Sequence, residues 1–123
     1  KKDTNDIRDA ASLKIIPWLL ERGAIVKAHD PEAEQEFLQA MKDVNTTNLT
    51  LCPDKYEATT AADLLFITND WKCYRNPDFH HLKEKMKQVI ILDGKDVLDY
   101  NEVKKHNFSY VSIGRPDLSP KTL

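Results

Sequence analysis

The sequence predicts an α/β domain of three layers, in which a mostly parallel sheet is flanked by helices. Short apolar runs alternate with segments of helical periodicity, and this strict alternation is typical of parallel strands joined by right-handed crossovers. The runs at residues 64–68 and 89–92 are continuous, which indicates strands that are buried on both faces. The 123 residues, 41% of them hydrophobic, suit a single domain, which we predict over residues 1–123.

The first helix is predicted from an apolar stripe that consists of Leu13, Ile16, Leu19 and Leu20. Gly23 follows the stripe and suits the left-handed position after a helix end. Further helices are predicted over residues 32–42, 55–61, 77–86 and 100–106. The predicted strands cover residues 24–29, 64–68, 89–92 and 110–113, with a short edge strand at 50–52. Residues 44–50 are predicted as a loop, and residues 115–120 as an extended, frayed tail.

The composition argues against several classes of partner. The formal net charge of −2 gives no overall nucleic-acid footprint, and no apolar run approaches the ~18 residues of a membrane span. Cys52 and Cys73 lack the spacing of a zinc site and suggest reduced thiols in a cytoplasmic protein. His80 and His81 are adjacent on a helix and diverge by about 100°, so no metal site is predicted.

Polar residues follow the predicted strands, where ligands bind in open α/β sheets. Asp30, Asp70 and Asp93 each follow a strand. Cations that lie near these ends or could reach them are Lys1, Lys2, Arg8, Lys72, Arg75 and Lys95. This mixture suits a nucleotide, although each aspartate taken alone is better explained as a helix cap. Trp71 could stack on a base, but packing under a loop is the favoured interpretation.

The segment at residues 1–8, KKDTNDIR, precedes the first helix and suits an anion held near a helix N-terminus. The chain does not start with methionine, so we expect it to belong to a longer protein. Its three glycines are not clustered and form no GxGxxG fingerprint. We therefore expect no NAD binding by the usual glycine-rich turn.

Several segments, in order, resemble motifs of UDP-glucose dehydrogenases of the UDP-glucose/GDP-mannose dehydrogenase family. They are KKDTNDIR at 1–8 for FKPxTDDxR, HDP at 29–31 for YDP, TNDWKCY at 68–74 for TEWxxF/Y, LDGK at 92–95 for FDGR, and NFSYVSIGR at 107–115 for GfxYxsIGR. The separations agree over nearly the whole chain. The resemblance implies a Rossmann-like, UDP-binding C-terminal domain of an NAD-dependent UDP-glucose 6-dehydrogenase, which oxidises UDP-glucose to UDP-glucuronate.

The resemblance also implies partners outside this chain. NAD would be bound mainly by an N-terminal domain, and the full-length protein would be a homodimer or larger. The family's catalytic cysteine lies in an earlier GFGGxCxxKD segment, which this chain lacks. We therefore assign no catalytic residue here, exclude Cys52 and Cys73 as the nucleophile, and expect the chain alone to be inactive.

The resemblance gives roles to individual residues. Lys1 corresponds to the lysine that reaches the UDP-sugar, and Arg8 to the arginine that approaches the cofactor. Asp93, Gly94 and Lys95 correspond to the substrate-binding DGR motif. Lys95 replaces the family's arginine, which keeps the charge and loses the planar, bidentate fork.

Two alternatives stay open. The domain could serve a related nucleotide-sugar dehydrogenase, for example one that acts on UDP-N-acetylmannosamine, although the TEW-like and DG motifs favour UDP-glucose. It could also be a stand-alone nucleotide-binding module. For Lys1 and Arg8 themselves, the alternative to a binding role is that they are solvated surface charges.

Overall fold

The computed structural model describes residues 12–30 and 34–120, so the predictions for Lys1 and Arg8 lie outside the described residues. The chain forms two compact units, one ending at Ala58 and the other beginning at Thr59. The elements are α1 (Ser12–Glu21), β1 (Val26–Ala28), α2 (Glu34–Ala40), β2 (Leu49–Leu51), α3 (Lys55–Thr59), β3 (Leu65–Ile67), a 3-10 helix (Lys72–Tyr74), α4 (Phe79–Lys85), β4 (Ile90–Asp93), α5 (Tyr100–Lys105) and β5 (Ser109–Ser112). The prediction of one domain over residues 1–123 stays a prediction.

The first unit is built on a two-stranded parallel sheet. β1 and β2 pair with Val26 opposite Leu49. Ile16 of α1 is buried with Phe37 of α2 and with Met41, which directly follows α2. This apolar cluster packs against both strands and supplies the core of the unit.

The end of α1 follows the sequence prediction. Gly23 adopts a φ of 85°, which glycine reaches without steric cost, and its amide donates to the Leu20 carbonyl at 3.1 Å. Pro17 lies inside α1, as its position in the apolar stripe predicts.

The second unit contains a three-stranded sheet in the order β3-β4-β5, with both pairings parallel. Asp93, the last residue of β4, lies between Ile67 at the end of β3 and Ser112 at the end of β5. The carboxyl ends of the three strands therefore meet at one edge of this sheet.

The two faces of this sheet differ in burial. Ile91 and Tyr110 are neighbours on one face and are 0% and 1% exposed. On the other face Phe66 and Val111 flank Leu92 and are 38% and 44% exposed. The predicted burial of these strands on both faces is thus complete on one face only.

The helices of the second unit have aspartate caps. The Asp78 carboxylate accepts from the His81 amide at the start of α4. Asp99 accepts from the amides of Asn101 and Glu102 at the start of α5. Parallel strands flanked by helices confirm the predicted α/β class and form a Rossmann-like domain.

The C-terminal tail differs from its prediction. Instead of fraying, it turns back, and Leu118 pairs with Tyr110 in an antiparallel bridge of two backbone hydrogen bonds, at 2.9 and 3.0 Å. The reason is that an edge strand presents unpaired backbone groups, which the tail satisfies. Gly114, at a φ of 75°, stands where the chain begins to turn.

Smaller differences concern the predicted ends of elements. α3 stops at Thr59 rather than residue 61, because Ala61 has a positive φ of 60° that no α-helix contains. The 3-10 helix was not predicted. Within the described ranges, none of the helices has the length and apolar character that a membrane span requires.

Candidate functional site

The end of β4 is organised by the carboxylate of Asp93, which is 1% exposed. Oδ1 accepts from the Lys95 amide at 3.1 Å, and Oδ2 accepts from the amides of Val97 and Leu98 at 2.8 and 2.9 Å. The hydroxyl of Tyr110 donates to Oδ2 at 2.7 Å. The carboxylate is thus occupied inside the protein, and it holds the turn at residues 94–98 in one conformation.

Tyr110 is well suited to this contact because it stays protonated. Burial is the largest cause and raises the pKa of the Tyr110 hydroxyl; the hydrogen bond with Ser112 lowers this pKa, and the hydrogen bond to Asp93 raises it again. At neutral pH the phenol is therefore a donor, and the Asp93 carboxylate keeps its buried partner.

Gly94 allows the turn to approach β3 closely. Its amide donates to the Ile67 carbonyl at 2.9 Å. A Cβ at this position would lie 3.2 Å from that carbonyl oxygen and 3.5 Å from Cε1 of Phe66. Gly94 is therefore required by the packing of the turn, since a side chain would push it away from β3.

Lys95 is the cation that this turn presents to solvent. Its backbone is fixed through the amide contact with Asp93, whereas its side chain is exposed. Among the described residues, no hydrogen bond or ion pair engages its ammonium group. Lys95 is thus a positive charge on a rigid turn at the carboxyl edge of the sheet.

A second polar cluster lies beside Lys95 and joins the turn to the end of β5. Asp96 accepts from the Ser112 hydroxyl at 3.0 Å and from Nε and Nη2 of Arg115 at 3.3 and 3.4 Å. The hydrogen bonds from Arg115 and Ser112 lower the pKa of Asp96. Arg115 also lies 5.7 Å from the ring centre of Tyr100, whose hydroxyl donates to the Pro116 carbonyl at 2.8 Å.

The end of β3 has its own ion pair. Arg75 donates to Oδ1 of Asp70 from Nη2 at 2.9 Å and from Nε at 3.2 Å, on either side of the 3-10 helix. Trp71, between them, is 4% exposed, so the structure supports packing rather than an exposed stacking platform. Its indole Nε1 is buried and has no hydrogen-bond partner among the residues that the structure describes.

The residues that the sequence marks as candidates for the site therefore lie in different places in the structure. Asp93, Gly94 and Lys95 lie at one edge together with Asp70, which follows the neighbouring strand. Asp30 follows β1 of the other sheet. Of the two cysteines, Cys52 is buried and Cys73 exposed. In the ranges 12–30 and 34–120, no group of three or more His, Cys, Asp or Glu residues could hold a metal ion.

Sequence reasoning missed the contacts that shape this edge. The period of two along β5 could have placed Tyr110 and Ser112 on the same face as Asp93, as the register shows. No comparable signal marks Asp96, whose partners lie 16 and 19 residues away.

Comparison with known proteins decides the family. Residues 1–100 match the model of the UDP-glucose/GDP-mannose dehydrogenase family, UDP binding domain. The chain belongs to this family.

Relatives in the dehydrogenase family extend the match to nearly the whole chain. A UDP-glucose 6-dehydrogenase of Rhizobium meliloti is 36% identical over 95% of the chain, and one of Pseudomonas aeruginosa is 34% identical over 94%. A UDP-glucose 6-dehydrogenase of Bos taurus is 32% identical over 94%. The chain covers 26% of the length of each of these relatives. It therefore corresponds to the UDP binding domain of the dehydrogenase family and to about a quarter of its relatives' length.

Proposed function

We propose that this chain is the UDP-sugar-binding, C-terminal part of an NAD-dependent UDP-glucose 6-dehydrogenase, which oxidises UDP-glucose to UDP-glucuronate. The observation that carries the proposal is Lys95, an exposed ammonium on a rigid turn at the carboxyl edge of a parallel sheet. Ligands bind at this edge in open α/β folds. The family match over residues 1–100, which include this turn, supports UDP as the ligand.

In this proposal Lys95 binds the substrate through charge. Its ammonium is a point charge that suits a phosphate oxygen of UDP, and the turn holds its backbone before the ligand arrives. Lys1 would contact the UDP-sugar as well, as the resemblance implies. A lysine cannot form the bidentate contact of the family's arginine, so its contribution is a single charge-assisted hydrogen bond.

Asp93 and Gly94 act on the substrate through the turn rather than by contact. The Asp93 carboxylate already accepts four hydrogen bonds inside the protein. Gly94 brings the turn against β3. The sequence predicts that both residues bind the substrate. We propose instead that they position Lys95 and do not contact the substrate themselves.

The turn after β4 does not fit the pyrophosphate of NAD. A dinucleotide turn offers unpaired amides to a pyrophosphate. Here the amides of Lys95, Val97 and Leu98 are already bound to Asp93. We propose that NAD is bound mainly by an N-terminal domain and that Arg8 approaches it from this domain, within a homodimer or larger assembly.

We also place the catalytic cysteine outside this chain. Burial raises the pKa of Cys52, and Glu57 raises it further, which disfavours the thiolate that a nucleophile needs. Cys73 is exposed but lies outside any segment that resembles GFGGxCxxKD. The chemistry therefore depends on residues from elsewhere in the longer protein.

The proposal predicts that the intact protein carrying this chain converts UDP-glucose and NAD to UDP-glucuronate. Lys95→Ala should raise the KM for UDP-glucose by about 10- to 150-fold, since a charge-assisted hydrogen bond contributes ~1.5–3 kcal/mol. Steady-state kinetics over a panel that includes UDP-N-acetylmannosamine would check both points.

The matched control is Lys105→Ala, an exposed lysine at the end of α5, before β5 begins. It should leave the KM unchanged. Preferred turnover of UDP-N-acetylmannosamine would favour the related dehydrogenase. Binding of UDP without oxidation of any nucleotide sugar would favour the stand-alone module. An unchanged KM in Lys95→Ala would remove Lys95 from the site.

A further inference from the structure

The turn at residues 94–98 is anchored on its inner side by Asp93, which accepts from the amides of three of its five residues. The Asp93 carboxylate accepts from the amides of Lys95, Val97 and Leu98 and skips that of Asp96. Asp96 is instead anchored through its side chain, which reaches the end of β5. Asp96, the residue directly after Lys95, is thus held by hydrogen bonds from Ser112 and Arg115 and not by Asp93.

The backbone of Asp96 adopts an uncommon conformation, which the contacts of its side chain help to hold. Its φ is 53°, in the left-handed region that side chains of L-residues disfavour and that aspartate tolerates better than most. Such a conformation persists when the surroundings fix it. The hydrogen bonds from Ser112 and Arg115 to the carboxylate supply that constraint.

Arg115 is itself held in place by the returning tail. The Tyr100 hydroxyl donates to the Pro116 carbonyl, and Leu118 pairs with Tyr110. The guanidinium also lies over the Tyr100 ring. Asp96 is therefore attached to a tail that is bound to β5 on one side and to α5 on the other.

The charges around Lys95 favour a role in substrate binding. Asp96 is the residue next to Lys95, and its carboxylate pairs with the Arg115 guanidinium at 3.3 Å. That pairing offsets the negative charge directly beside Lys95, which would otherwise weaken its attraction for an anion. The attachment therefore fixes the backbone next to Lys95 and the charge of its neighbour.

We propose that Asp96, held by Ser112 and Arg115, is a positioning residue that directs Lys95 toward the phosphates of UDP. This inference rests on the proposed function of Lys95 as a substrate ligand. Asp96 acts through its neighbour and does not touch the substrate. The Asp96–Ser112–Arg115 cluster thereby increases the affinity for UDP, in addition to its contribution to folding.

Two variants of the intact protein distinguish the contribution of the Asp96 side chain from that of its charge. Asp96→Gly keeps access to the left-handed conformation and removes the side chain. Asp96→Asn tolerates the same conformation and removes the charge that retains Arg115. Both should raise the KM for UDP-glucose and the Kd for UDP alone by about 5- to 20-fold, the loss of one to two ordinary hydrogen bonds. The kcat should change less than twofold. Asp117→Asn, an exposed aspartate in the same tail, is the matched control and should change neither.

The decisive readout is a double-mutant cycle with Lys95→Ala, measured by calorimetric titration with UDP. If Asp96 acts through Lys95, Asp96→Gly weakens UDP binding in the wild-type background and has little further effect in Lys95→Ala. Equal losses in both backgrounds, or an unchanged Kd in both Asp96 variants, would overturn the inference while leaving Lys95 in the site. No effect of Lys95→Ala would overturn the proposed function of Lys95, and the inference with it.

Discussion

The buried pair of Asp93 and Tyr110 is a polar contact at the centre of the candidate site. A carboxylate that is 1% exposed needs every partner it has, because an unsatisfied buried acceptor is costly. Tyr110 reaches it from the neighbouring strand at 2.7 Å and so ties β5 to the turn after β4. The pair therefore links the folding of the sheet to the shape of the candidate site.

Tyr110→Phe should lower the free energy of unfolding by about 1.5–3 kcal/mol, the range for hydrogen bonds to charged groups. The control Tyr100→Phe removes a hydroxyl that donates to a carbonyl near the surface, and it should cost about 0.5–1.5 kcal/mol. Urea unfolding of both variants checks the difference. Equal losses would contradict a special role for the buried pair.

The same pair predicts a dependence on pH. Burial raises the pKa of Tyr110 above the ordinary value of 10.0. A group with a raised pKa in the folded state stabilises the protein fully below its unfolded pKa, and that stabilisation is lost as the pH rises toward the folded pKa. The wild type should therefore lose stability more steeply above about pH 10 than Tyr110→Phe does. Parallel curves above this pH would contradict the raised pKa.

Replacing Lys95 with arginine gives a second test of its role in substrate binding. Lys95→Arg restores the arginine that the family motif has at this position and adds a planar, bidentate donor. The KM for UDP-glucose in the intact protein should fall or stay unchanged, in contrast to the rise in Lys95→Ala. A rise comparable to that of alanine would show that the site requires lysine itself, and steady-state kinetics distinguishes the two results.

At the scale of elements, the helix caps support the strands that form the site. Asp99 caps α5, and this helix carries Val103, which is 0% exposed. Asp99→Ala should cost about 1 kcal/mol, the usual loss for an N-cap, and Asp117→Ala should cost less than about 0.5 kcal/mol at an exposed position. Thermal or urea unfolding measures both, and equal stabilities would show that the cap contributes nothing.

The α-helices and β-strands of the second unit could be predicted from sequence, but the 3-10 helix and the pairing partners of the strands could not. The run at residues 89–92 predicts the strand that contains Ile91, because four consecutive apolar residues need a buried position. The return of the tail, with Leu118 bonded to Tyr110, depends on which edge of the sheet is open. Local sequence does not contain that information, so residues 115–120 were predicted as frayed.

At the candidate site, too, the sequence predicts individual residues but not the contacts that hold them. From the sequence, Asp93 at the end of β4 and Gly94 after it are recognisable as a motif at the ligand-binding edge, with Lys95 as its cation. The burial of Asp93 and the attachment of Asp96 arise from partners 16 to 19 residues away, which only the folded chain brings together. Sequence therefore predicts which residue meets the ligand better than it predicts which residues hold that residue in place.

At the scale of the whole molecule, the chain belongs to the UDP binding domain of a dehydrogenase family and spans 26% of its relatives' length. Its described part supplies a turn with one exposed cation, Lys95, in which the amides of Lys95, Val97 and Leu98 are bound to Asp93. We propose that this domain binds the sugar nucleotide and that the oxidation chemistry depends on other parts of a longer protein.

The most direct test is a crystal structure of the intact protein with UDP bound. We predict UDP at the carboxyl edge of β3, β4 and β5, with the Lys95 ammonium about 2.7–2.9 Å from a phosphate oxygen, the length of a charge-assisted hydrogen bond. Asp93 should keep its internal contacts, with no bond to the ligand. UDP bound elsewhere, with Lys95 extended into solvent, would contradict the assignment of this edge as the substrate site.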